Sequence, residues 1–474
     1  MRAGPRRSAR VALRRGRPVL RRLLDWADEF PPGRVPLLLL VLALATGTAV
    51  AVRQVRSAPP HFTVWTFVHL AGEEFQQRLA ADPAYADVEV RNLGTAMFDR
   101  LALAVMTRTE LPNLVEIEQS VIGRYLRGPV EHIPFVDLTE RLEREGWFER
   151  CVPARFARYT VGGRTFGLPH DLHPMVLVYR PDVLAELGYR PENLETWEDW
   201  CAAARQFYRP GALGTRTWRR GMPLSTIEGY TYLALLWQRG GDMFDAAGEV
   251  TLDSPLAVDT LERYLAMLGG DPPAAGPALS SMIEDFAALS RGQFLGLLAA
   301  DWMLAVMQRD GRALLEGRVQ IMPLPAWERG GRRTTTVGGT ALCIPKDAGP
   351  PDRAWEIAKL LYFDHRSLVE RFRTQSIVPL LRASWTDPVF DEPAPFFQNQ
   401  RIGRVLTHLA DEVPPVHGSP YMAEGYKLLD AVFADVTAGR IMPRAALAGV
   451  ANELRARMAR DRAAVARSRA GSVP

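Results

Sequence analysis

The chain has 474 residues, 47% of them hydrophobic and 24% charged, an ordinary globular composition with room for two or three domains. Its formal charge of +4 is unevenly spread. Residues 1–56 carry twelve arginines against Asp25, Asp28 and Glu29, so the remainder carries 46 basic and 51 acidic residues, a net of −5. A body of that charge has no general affinity for polyanions, which argues against nucleic acid as a partner.

The leader explains the high isoelectric point. Arginines crowd residues 1–34, and an apolar run follows from Leu37 to Val52. As a helix that run measures about 24 Å, and Val35 and Pro36 bring it barely to spanning length. The flanking positive charge predicts a cytoplasmic N-terminus, with everything after the run outside. Ala49-Val50-Ala51 fits a signal-peptidase site, so residues 35–52 read as a signal peptide or a retained signal-anchor helix, followed by a linker over 53–61. Cys151, Cys201 and Cys343 are odd in number and lack C-x-x-C spacing, so they predict burial as small hydrophobes, not a zinc site or a disulfide framework.

Past the linker, residues 61–67 alternate like a strand, 73–81 have helical spacing, and 88–92 form a second strand. A helix over 98–106 and a strand over 114–117 complete a βαβαβ rhythm, which predicts a largely parallel sheet with ligands at the carboxyl ends of its strands. Glu118, Gln119 and Ser120 sit at such an end, either as ligand contacts or with Ser120 as a helix N-cap. Gly163 to Arg180 begins as a glycine turn, passes Leu168-Pro169, sets His170, Asp171 and His173 within four residues, and ends in a buried strand over 175–179. That pattern suits a crossing between two lobes at the floor of a cleft. Thr196, with Asp199 three residues on, marks a capping box. An apolar helix over 228–239 ends at Gly240-Gly241-Asp242, and an amphipathic one spans 256–267. Residues 271–277 read as a surface loop, and the buried strand 294–300 delivers Asp301-Trp302. A strand over 319–325 runs into a polar turn, and a strand from Thr334 to Ile344 carries Gly338-Gly339. A helix over 353–363, a crossing at 375–379 and helical segments over 395–410 and 421–459 follow, before a basic, frayed tail.

The succession resembles the extracellular (family 1) solute-binding proteins of ABC-type sugar importers, typified by maltose-binding protein. The resemblance rests on an ordered set: the Trp65 strand, Pro112-Asn113, Gly162–Pro169, Val178-Tyr179-Arg180, Thr196-Trp197-Glu198-Asp199, Gly240-Gly241, Ala299–Trp302, Met322–Pro325, Val337-Gly338-Gly339, Ile344-Pro345-Lys346, Ala354-Trp355-Glu356 and Ala438-Gly439-Arg440. It implies an α/β, two-lobed periplasmic-binding-protein-like fold of class II type, with lobes joined by three crossing segments and closing by a hinge. The implied first lobe is 62–168 plus 333–374 and the second 169–328 plus 379–460, with crossings at 168–173, 325–333 and 375–379 and a basic tail over 461–474.

The same resemblance implies a carbohydrate or related polyol as ligand, ABC permease subunits as partners and a monomeric state, while the arginine block and apolar run themselves predict an extracytoplasmic body and its attachment to the membrane through the N-terminal helix if that helix is retained. No catalytic residue, metal or cofactor is expected; the alternative readings are a membrane-tethered ligand-sensing domain without a transport role and, behind it, a hydrolase working through paired carboxylates. A sugar requires aromatic platforms plus carboxylates, amides and imidazoles. Trp302 matches the family's stacking aromatic, with core packing as the alternative. Asp301 either accepts hydroxyls or caps the following helix. Asp242 falls on a family contact position, Glu118, Gln119 and Ser120 on the first lobe's polar loop, and His170, Asp171 and His173 in the first crossing. Gly338 and Gly339 let the backbone approach the ligand or a neighbouring strand. Tyr421 and Tyr426 enter a late helix near another stacking position, and Trp65 either contacts ligand or packs in the core. The His-Asp-His cluster also has the look of a metal site, but Pro174 follows it directly, and no H-E-x-x-H, G-x-S-x-G or P-loop pattern occurs.

Overall fold

A computed structural model of the chain describes residues 39–40, 42–47, 62–212, 215 and 217–470. The basic region 1–34, the linker and most of the apolar run 35–52 lie outside these residues. Residues 39–40 and 42–47 are helical and exposed, and among the described residues no helix is long and apolar enough to cross a membrane.

The alternating segment after the linker is strand β1 (Phe62–Thr66). Helix α1 (His69–Ala80) follows and buries Ala71, Phe75 and Leu79, three residues spaced by four along one face. Strand β2 (Val88–Asn92), helix α2 (Met97–Thr107) and strand β3 (Leu114–Glu118) complete the expected rhythm, with both β2 and β3 parallel to β1. The short strand β4 (Leu168–Pro169) closes this segment.

Strand β5 (Met175–Tyr179) begins a second sheet, and all five of its residues are buried, which accounts for the unbroken apolar run Met-Val-Leu-Val-Tyr. Helix α3 (Trp197–Phe207) opens with a reciprocal cap: Asp199 N–H donates to Thr196 Oγ1 at 3.2 Å and Thr196 N–H donates to Asp199 Oδ2 at 2.9 Å. Helices α4 (Tyr230–Gln238) and α5 (Pro255–Gly269) pack beyond it. Strand β6 (Gly296–Ala300) runs directly into helix α6 (Asp301–Asp310), and strand β7 (Gln320–Pro323) follows. The second sheet has the order β6-β5-β7 and is antiparallel throughout. The chain then returns to the first sheet as strand β8 (Thr340–Cys343), giving the order β2-β1-β3-β8-β4. Helices α7 (Pro351–Tyr362), α8 (His365–Gln375), α9 (Ile402–Ala410), α10 (Met422–Thr437) and α11 (Pro443–Ala470) complete the fold.

Several elements differ from the sequence reading. Within the expected loop 271–277, Ala275–Pro277 pairs in parallel with Met222–Leu224, a strand disguised by its glycine and prolines. Helix α11 continues to Ala470, past the point where the basic residues suggested fraying. The second passage between sheets falls over residues 334–339, later than 325–333. Residues 325–333 stay with the second sheet because Ala326 N–H donates to Glu195 O at 2.7 Å and Leu324 N–H to Arg333 O at 2.8 Å.

Three passages, 170–174, 334–339 and 376–380, run side by side between the sheets. Leu172 N–H donates to Val378 O at 3.1 Å, Leu380 N–H to His170 O at 2.9 Å, and Met175 N–H to Thr335 O at 2.9 Å. Their backbone polar groups are thus satisfied by one another where water is excluded. The Thr196 cap offers a test of local encoding. Replacing Thr196 by Ala is expected to lower stability by about 1 kcal/mol, with Thr196→Ser close to neutral, measured as urea unfolding midpoints.

Candidate functional site

A cavity of about 1160 Å³ lies over the three passages, somewhat larger than the roughly 300–1,000 Å³ usual for small-ligand pockets. The first sheet supplies one wall through the start of α1, from Phe67 to Ala71, and through Glu118 at the end of β3 and Ser120 just beyond it. The second supplies the facing wall through α6, with Trp302, Ala305 and Val306. Trp302 is held by its indole N–H, which donates to Val337 O at 3.0 Å. Tyr230 and Tyr426 line the same space. Their rings meet edge-on at 5.6 Å, and the Tyr426 hydroxyl is buried with no hydrogen-bond partner among the described residues.

The floor is a buried charge network centred on Asp171. Arg155 donates to Asp171 Oδ1 from Nε at 3.0 Å and from Nη2 at 2.7 Å. Asp171 Oδ2 accepts the Thr340 backbone N–H at 2.9 Å and lies 3.3 Å from His170 Nε2 and 3.2 Å from His173 Nε2. Burial works against this carboxylate, but His173, Arg155 and His170 around it hold its pKa well below the usual range.

The two histidines take opposite states. For His173, burial again opposes the charge, yet Asp171 on one nitrogen and Asp301 on the other, 2.6 Å from Nδ1, raise its pKa to about 9. Burial and the Arg371 guanidinium hold His170 well below its ordinary value, so it is neutral. Its Nδ1 accepts from Arg371 Nη1 at 2.8 Å, and Nε2–H is directed to Thr340 Oγ1 at 3.0 Å. Both nitrogens of both rings are therefore occupied by protein. The hinge groups that the sequence offered as hydrogen-bonding partners for a ligand are bonded to one another. What they present to the cavity is ring surface.

Of the other expected residues, Asp301 is fully buried: Oδ1 binds His173 and the Trp302 N–H, which places it at the start of α6, and Oδ2 accepts Val378 N–H at 2.7 Å. Gln119 stands behind the lining, joining Arg155 at 3.3 Å to the Tyr230 hydroxyl at 3.2 Å. Trp65 is 1% exposed, packs with Met97 and Leu101 and carries Arg100 over its ring, away from the cavity. Asp242 is also buried away from it, accepting from Trp237 Nε1 and His417 N–H, both at 2.8 Å. The Tyr421 hydroxyl donates to Asp461 at 2.9 Å near the outer end of α11.

Gly338 and Gly339 line the cavity for a reason the sequence did not give. A Cβ on Gly339, where φ is +134°, would lie 1.4 Å from Arg155 Nη2, and one on Gly338 would lie 3.1 Å from Trp302 Nε1. The pair makes room for a guanidinium below and an indole beside it.

Arg155, Arg371, Glu116, Tyr230 and Gln375 went unread. Glu116 carried a signal, being an acid inside the apolar strand β3; it accepts from Thr66 and Tyr362 hydroxyls, both at 2.5 Å, while burial raises its pKa. Arg371, bound to Glu74, and Arg155 stand in helical turns that look ordinary in sequence. His173 departs from the norm in its backbone too, with φ at +51°.

Comparison with known proteins gives a consistent picture. The profile described as bacterial extracellular solute-binding protein matches residues 144–364. The arabinooligosaccharide-binding protein of Bacillus subtilis is 25% identical over 439 residues, covering 89% of this chain and 98% of that protein. Among solved structures, the sugar-binding protein MalE from Xanthomonas citri superposes with a TM-score of 0.69 at 16% identity, covering 85% of this chain and 98% of that one. A binding protein from B. animalis subsp. lactis in complex with β-1,6-galactobiose gives a TM-score of 0.63 at 17% identity, covering 83% and 96%.

The His173 pair of contacts is testable. Its folded pKa of about 9 lies above the ordinary 6.5, so its contribution is fully present below pH 6.5 and lost as pH rises through about 9. The expected loss between those limits is about 3 kcal/mol, read from urea unfolding at a series of pH values and diminished in His173→Gln. Imidazole NMR shifts should show one buried ring still charged at pH 8; a neutral ring at every buried histidine would overturn the assignment.

Proposed function

We infer that this chain, a member of the bacterial extracellular solute-binding proteins, captures a carbohydrate or related polyol in the cleft between its two sheets and delivers it to an ABC-type membrane permease. It is a binding protein, not an enzyme. The observation that carries the reading is the contrast inside the cavity. Its charged floor is saturated by internal contacts, while the Trp302 and Tyr230 rings and the Glu118 side chain line the open volume. Rings stack on the C–H faces of a sugar, and a carboxylate accepts its hydroxyls. The solute-binding relatives with sugars in their names support the same class.

The lobes in this reading are the two sheets with their helices, pivoting on the side-by-side passages. The arginine block and the apolar run over 35–52 support export of the body, with that run as signal peptide or retained anchor. The protein then works as an extracytoplasmic monomer beside its permease.

A thermal-shift scan of residues 57–474 against oligosaccharides, nucleotides and amino acids tests the proposal. One carbohydrate class should stabilise the protein, by about 2.7 kcal/mol at a hundred times its Kd, with no response to the other two classes. A scan flat across carbohydrates would refute the ligand class. Trp302→Ala is expected to weaken the responding sugar about tenfold or more, since water does not replace a stacking face; unchanged affinity would assign Trp302 to packing alone.

A further inference from the structure

We propose that the ligand is an acidic oligosaccharide, elongated along α6 and bearing a carboxylate that arginines at the outer end of the cleft receive. This rests on the carbohydrate reading above and narrows it.

The cavity is polarised along its length. Its lining carboxylates, Glu116, Glu118 and Asp171, all belong to the deep end, near the first sheet and the floor. From Trp302 the wall continues outward along α6 through Ala305 and Val306 to Arg309, about 10 Å at helical rise, with Arg312 just beyond the end of the helix. Arg373 enters from the last turn of α8. Helices α6 and α8 are tied at this point by Gln308 Nε2, which donates to Ser376 Oγ at 3.3 Å. That contact fixes Arg309 and Arg373 at the same mouth. Three guanidinium groups thus line the outer end, and no carboxylate lines it among the described residues.

Each arginine has carboxylate neighbours outside the cavity lining: Arg309 holds both oxygens of Asp310 at 2.8 Å, Arg312 has Glu316 at 2.6 Å, and Arg373 has Glu392 at 3.0 Å and Glu370 at 3.5 Å. The arginine side chains in these pairs are 57%, 60% and 50% exposed, so the pairs are screened and bind weakly. A guanidinium carries five donors, and these exposed partners leave some of them free to take a further, planar carboxylate. A neutral sugar needs no such cluster, because the amides of Gln308 and Gln375 on the same lining serve hydroxyls as well. The rings then hold the inner units, and the mouth selects the charge of the outer one.

The test uses oligogalacturonates and glucuronoxylo-oligosaccharides of two to four units, each beside its carboxyl-reduced form, together with neutral arabino-, xylo- and galacto-oligosaccharides, by calorimetry. At least one acidic sugar should bind ten or more times tighter than its reduced form, with that ratio shrinking as salt rises. In the double variant Arg309→Gln with Arg373→Gln the ratio should fall to about one. Both side chains are exposed, so folding is checked by the unchanged melting temperature of the unliganded protein. Should neutral sugars bind while no acidic one exceeds its reduced form, the acidic proposal fails and the carbohydrate reading stands. If no sugar of either kind binds, both fail. A preference that persists unchanged in the double variant would also overturn the role given to the arginines.

Discussion

The Asp171 carboxylate is the contact on which the rest of the site depends. It lies fully buried in the first passage and binds an arginine from the first sheet's side, the backbone of the returning strand and two imidazoles. Removing a carboxylate from water is costly, and only excellent geometry with every lone pair engaged offsets that. Here the fork of Arg155 supplies part of the compensation, and Arg155 in turn reaches Thr336 and the carbonyl of Gly338 in the second passage. Asp301 extends the chain through His173 to the third passage by way of Val378. One connected set of charges therefore holds three backbone segments in register.

That arrangement bears directly on motion. The passages bond to one another more than to either sheet's helices, so they behave as one short, satisfied bundle. In the proposed closure of the sheets on a ligand, rotation falls at the ends of the bundle, where β4 leads into Asp171 on one side and β5 follows Pro174 on the other. A network of this kind tolerates hinge rotation poorly at its centre and well at its edges, because breaking one buried ion contact leaves a charge without compensation. The unusual backbone of His173 sits at the edge of the bundle nearest β5.

Much of the architecture was legible because it follows from short-range periodicity. The β1-α1-β2-α2-β3 succession, the continuous apolar run of β5 and the Thr196 cap are each set by residues within a few positions of one another. The antiparallel second sheet was less legible, since β6 and β7 reach β5 from more than a hundred residues away and the apolar runs do not state direction. In the site, Trp302 at a strand end and the glycine pair were visible as places where something must approach closely. What they approach was not. Arg155 and Arg371 look like surface residues in helical turns, and their burial exists only because carboxylates and an imidazole converge on them from distant segments. Trp65 illustrates the converse: a strand-end tryptophan that simply fills the core.

The division of charge between His170 and His173 shows why the sequence could not rank the pair. Three residues apart, both buried and both near Asp171, they differ in their second neighbour: a guanidinium for His170 and a second carboxylate for His173. Each neighbour sets the proton count in the direction Coulomb's law requires, one ring losing its charge and the other keeping it. The consequence reaches the ligand. Neither ring titrates near neutral pH, with one held well below and the other raised to about 9, so the two imidazoles keep a constant charge there. Selectivity in such a site falls to groups whose bonding is unfinished, and those lie along the walls and at the mouth, not at the hinge.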